Sequence, residues 1–147
     1  MIAPRLVRLI ESHSDNLVGG LMDKLERCPR LTDYNKVPDD EIKHRVHEIY
    51  RHLGEWLLQK PESDVEKWYI AIGARRAAQG VPLSQLVFAI LLSKEHLWDF
   101  LKQEAVEDHP IEVLQELELF RMVDHFFDRA VYYAAAGYEK ARAARAA

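Results

Sequence analysis

A single cysteine, Cys28, is all the chain contains, so neither an intrachain disulfide nor a multi-cysteine zinc site can form. Such sparing use of cysteine fits a reducing compartment. Glycine and proline are also few, six of each, and they punctuate segments rather than fill them. No stretch alternates apolar and polar residues over the length of a strand. The longest apolar run, residues 86–92, falls far short of the ~18 residues needed to span a bilayer. The first five residues lead into a polar-interrupted helix with no signal-peptide apolar core. Neither charge sign dominates: 24 acidic against 20 basic side chains leave a net charge of −4, so no global field favours nucleic acid. A Walker loop, a Gly-x-Gly-x-x-Gly turn and a nucleophile elbow are all missing. These absences point to a cytoplasmic protein that neither crosses a membrane nor binds nucleic acid, and that is not an enzyme.

What the chain does have is apolar material, 48% of 147 residues, enough for the core of one domain over residues 1–147. Periodicity and punctuation predict an all-α fold of about five main helices. The first runs over about residues 4–27 on a stripe of Leu6, Ile10, Leu17, Leu21 and Leu25. Gly19 and Gly20 in its middle mark a kink or the close approach of a crossing helix. Asp39 reads as the N-cap of a second helix, with an apolar face from Ile42 through Leu57 that Lys60 and Pro61 stop. Ser63 and Glu66 form a capping box for a third, which runs to about Gln79 with Gly80 as its stop. Pro82 opens a fourth helix, apolar nearly all round, that ends near Gln103. Asp108, His109 and Pro110 open a fifth, with no breaker until Gly137. One of its faces carries Phe120, Phe127, Val131 and Tyr138, beside a second apolar strip of Leu119, Met122 and Phe126. Two strips suit a helix that packs on its own domain and on a second copy of the chain.

The side chains with chemistry to offer are mostly explained by solvation. His44, Glu48 and His52 share a helix edge, but the order of residues misses the zinc-protease pattern. A haem would need a histidine aimed into an apolar cavity, and His13 flanks its stripe more closely than His44, His47, His96 or His125. Cys28 has no histidine nearby in sequence, and the pairs Glu116 with Glu118 and Asp124 with Asp128 do not converge as an acid and a base. Lys140, Arg142 and Arg145 make a short basic tail that reads as a solvated end.

Two cations stand out. On the third helix the stripe Val65, Trp68, Tyr69 and Ile72 continues onto Arg76, with Arg75 at its edge. On the fourth, Leu83, Val87, Ile90, Leu97, Trp98 and Leu101 bracket Lys94. A charge on a core-facing stripe needs a partner. Arg76 and Lys94 either pair with carboxylates such as Asp99, Asp124 or Asp128, or, with Arg75 as a third candidate, line a small pocket that takes an anionic ligand or relays a signal.

The run from Gly73 through Arg75, Arg76, Gly80 and Pro82 to Leu83, followed by a helix containing Leu97 and Trp98, resembles the N-terminal sensor domain of RsbR-type stressosome proteins. Similar domains precede bacterial histidine kinases. The Trp68 helix and the closing run from Phe126 to Val131 fit the same pattern. The resemblance implies a globin-like, all-helical domain without haem or other cofactor, which forms homodimers and passes a signal through its last helix to an effector module. The chain ends at Ala147 without room for a STAS or kinase segment, so the expectation is a stand-alone sensor or one domain of a longer protein. The competing expectations are a globin-like protein that binds haem or another small molecule, and a helical adaptor with no pocket.

Overall fold

The computed structural model describes residues 3–104 and 110–146, and every regular element among them is helical. The expected all-α fold is the one observed. Asp108 and His109, expected to open the last helix, lie outside the described residues.

The first expected helix is in fact two, α1 over Pro4–Ser12 and α2 over Ser14–Arg27. The break falls at His13, not at Gly19 and Gly20. There the Leu9 carbonyl meets the His13 backbone N–H at 3.0 Å, the Ser12 hydroxyl at 3.2 Å and His13 Nδ1 at 2.8 Å. Polar side chains this close to the backbone compete with the helical ladder and turn the chain. Of the two glycines, Gly20 leaves space for a crossing helix: a Cβ there would stand 2.9 Å from His96 Cε1.

After a 3-10 turn at Tyr34–Lys36, α3 spans Asp39–Arg51 and α4 spans Glu62–Ala78. Neither expected cap forms. The chain enters each helix straight from a proline, Pro38 or Pro61, whose extended ψ occupies the cap position. Asp39 and Ser63 are thereby moved inside their helices, where acidic first-turn residues still complement the dipole. Between α3 and α4 the chain widens into a π-helical turn, Glu55–Gln59, closed by Lys60 N–H donating to the Glu55 carbonyl at 2.8 Å. The Gly54 N–H and the Trp56 indole anchor this turn on Glu11 and Glu48.

α5 covers Leu83–Glu104 and meets α2, α4 and α6. α6 is continuous over Pro110–Ala146. Leu53, Leu86, Leu97, Leu119 and Val123 are completely sealed at the centre. The two most extensive partners, α4 and α6, run parallel. Glu62 pairs with Arg129, Ile70 faces Gly137, and Ala77 accepts a hydrogen bond from Arg145. Two glycines let the backbones touch. A Cβ on Gly73 would run into the Ala134 carbonyl and stand 2.8 Å from Tyr138 N; one on Gly137 would stand 2.8 Å from Ile70 Cα. No helix among the described residues is long and apolar enough to cross a membrane.

Candidate functional site

The corner between α4 and α5 is built by a glycine. Gly80 takes φ +76°, a left-handed conformation that costs a Cβ-bearing residue energy. Val81 N–H then donates to the Arg76 carbonyl, and Gly80 N–H to that of Ala77, the paired bonds of a Schellman cap. Val81 is fully buried behind it. The cap fixes the direction of the last turn of α4 and so aims Arg76 inward.

Arg76 is 2% exposed. Its Nη1 donates to Glu41 Oε2 at 2.5 Å and to Gln79 Oε1 at 3.0 Å, and its Nε donates to the Tyr34 hydroxyl at 3.3 Å. Arg75, out in solvent, donates from Nε to the other Glu41 oxygen at 2.9 Å. Gln79 Nε2 completes the set on Glu41 Oε2 at 2.8 Å. Burial alone would raise the Glu41 pKa. The hydrogen bonds from Gln79 and Arg75 and the charge of Arg76 outweigh it and hold Glu41 below the usual carboxylate range. Tyr34 is pushed the other way, upward, because burial exceeds the opposing pull of Arg76.

Beneath this network lies a cavity of about 60 Å³ whose walls include Arg76, Arg45, Tyr50, Tyr69, Ile90 and Phe127. It is the space of a few water molecules, whereas drug-sized ligands occupy roughly 300–1,000 Å³. A haem does not fit, and no histidine is among the lining residues. The Tyr50 hydroxyl donates to the Ser93 carbonyl at 2.8 Å. Burial raises the pKa of both Tyr50 and Tyr69, so both hydroxyls keep their protons.

The structure separates the two cations that the sequence set side by side. Lys94 is not among the lining residues; its Nζ is 3.6 Å from Asp124, which also accepts the Trp98 indole N–H. Arg76 finds its carboxylate on α3 instead. On α6, Phe127 and Tyr138 are buried in the core, while Phe120 and Val131 are half-buried. Phe127 reaches the cavity wall, and the Tyr138 hydroxyl donates to the Val81 carbonyl at 2.6 Å. Phe120 packs against Trp98 at a tilt of 46°, with ring centroids 4.8 Å apart.

The remaining candidates have local occupations. His52 lies 4.0 Å from Glu48 and 3.6 Å from Glu55, His44 packs on Trp68, and the described residues contain no group of three metal-ligating side chains. In the basic tail, Arg145 bonds the Ala77 carbonyl and Arg142 lies over the Tyr138 ring. Sequence reasoning missed Glu41, Arg45 and Gln79 as site residues. Glu41 stands 35 positions before Arg76, and only the fold brings them together; the acidic triplet at the start of α3 was the one available signal.

No curated protein and no solved structure matches the chain. A family model does: residues 15–147 match the RsbT co-antagonist protein rsbRD N-terminal domain. The chain therefore belongs to this family of stressosome signalling domains.

Proposed function

We propose that the domain is a non-enzymatic, cytoplasmic sensor that forms a homodimer and relays a signal through α6 to a downstream effector. One observation carries the dimer. The first turns of α6 present Ile111, Leu114 and Leu117 to solvent, 71%, 65% and 54% exposed, on one face of the helix. An apolar strip of this kind on a soluble domain marks an interaction surface, and a second copy of α6 offers a matching strip under two-fold symmetry. The relay rests on α6 itself, which runs from that strip past Phe127 at the cavity wall to Tyr138 at the α4–α5 corner.

Light scattering on the purified chain tests the reading. The expected mass is that of a dimer, and Leu114→Asp with Leu117→Asp is expected to give a folded monomer. A wild-type chain that stays monomeric at high concentration sinks the dimer and any relay that depends on it.

A further inference from the structure

Two guanidinium groups meet one carboxylate beside the cavity, and a third lines its wall. Arg75 and Arg76 share Glu41. Arg45, one turn further along α3, has no carboxylate within 4.0 Å and no hydrogen bond among the described residues; it rests on the Trp68 face, 4.7 Å from the ring centroid. Its pKa is lowered first by burial and then by the charge of Arg76, so the group sits where a further negative charge is favoured. Below it, Tyr69 is 5% exposed, lines the same cavity, and has a hydroxyl with no hydrogen-bond partner among the described residues. A half-buried cation without a carboxylate and a phenol hydroxyl without a hydrogen-bond partner among the described residues face a space whose wall is mostly apolar, Ile42, Ile72 and Ile90 among it. A ligand in the cavity would give both groups the hydrogen-bond partner that the described residues do not supply.

We propose that this cavity binds a small organic monoanion, a carboxylate on a short apolar body, held by Arg45 and the Tyr69 hydroxyl beside Arg76. The proposal rests on the reading of the domain as a sensor and names the ligand class it senses. A planar carboxylate matches a guanidinium fork and can accept from a phenol as well. A phosphate or sulfate would turn its remaining oxygens toward a mostly apolar wall, which is costly. At about 60 Å³, with each water-sized volume taking about 10–15 Å³, the space admits a body of a few heavy atoms and excludes long acyl chains.

The test is a titration of the full chain with acetate, propionate, butyrate and hexanoate at constant ionic strength. Chloride and neutral propionamide serve as controls, with melting temperature and calorimetry as readouts. Saturable binding of propionate or butyrate is expected with Kd of about 1 mM, what ligand efficiency leaves to so small a molecule. Hexanoate, chloride and propionamide should give no saturable signal. Arg45→Gln should weaken binding at least tenfold and Tyr69→Phe several-fold, each in a protein that melts cooperatively. Equal stabilisation by chloride and propionate, undiminished binding by both variants, or no saturable response to any acid overturns the site. Light scattering on the same samples separates the two readings: a dimer that binds no carboxylate loses only this site, and a monomer that binds one keeps the site and loses the dimer.

Discussion

Arg76 meets Glu41 from inside the protein, through a side chain only 3% exposed, while Arg75 takes the other oxygen of the same carboxylate from a side chain 56% exposed. Removing a buried partner strands the other charge and costs about 3–5 kcal/mol, whereas exposed pairs contribute about 0–1 kcal/mol. Arg76→Ala is therefore expected to lower the melting temperature by roughly 6–20 °C, at about 2–4 °C per kcal/mol for a chain of this size. Arg75→Ala should shift it by only a few degrees. Thermal melts of the two variants decide the matter; equal small shifts would remove Arg76 from its structural role.

The same network gives an acid-dependent term. Glu41 has a lowered pKa in the folded state, so its contribution is complete above the unfolded carboxylate value of about 4.3 and fades as pH falls through the folded one. Wild type should lose stability relative to Glu41→Gln across that window. Denaturant melts at neutral pH and near pH 3 measure the gap, and an unchanged difference between the two proteins would refute the assignment.

His96 supplies a second acid response, at higher pH. Its Nε2 lies 2.8 Å from the Leu17 carbonyl, an acceptor, so this nitrogen carries the proton. Nδ1 is buried without a partner. Burial, then the charge of Lys24, lower its pKa. The folded state therefore favours neutral imidazole, and its contribution is complete above the unfolded value of about 6.5 and is lost as pH falls from there through the folded value. Replacing His96 with Gln should flatten the stability profile between pH 7.5 and 5, as read by melting temperature. A wild-type profile already flat there would argue against it.

Gly73 and Gly137 admit no side chain. Gly73→Ala and Gly137→Ala each force backbone apart from backbone, and each should cost about 3 kcal/mol or more, at or beyond the upper end of ordinary overpacking. Gly19→Ala meets nothing within 4 Å and should stabilise α2 by up to about 1 kcal/mol. Equilibrium unfolding of the three variants should separate them by sign.

The corner and the all-helical character were legible because their signals are local. Gly80 and Pro82 are punctuation that fits a left-handed helix stop followed by a new helix, and Arg76 on an apolar stripe marks a buried charge. The break at His13 was not legible, since it comes from three donors converging on one Leu9 carbonyl, a geometry that no breaker residue marks. Asp39 and Ser63 looked like caps because the rule reads side chains, while Pro38 and Pro61 had already set the backbone one step earlier. Lys94 and Arg76 looked like a pair because both sit on core-facing stripes. Helix rotation decided otherwise, sending one to Asp124 and the other to Glu41.

Between α4 and α6 there is no layer of side chains at the glycine contact to act as a spring. α6 cannot spin about its own axis there without driving main chain into main chain. Arg76 lies less than one turn beyond Gly73, so the buried charge and the main-chain contact share the last turns of α4. A rod of 37 residues, about 55 Å long, is thus held against α4 by main chain at one place and by side chains along the rest.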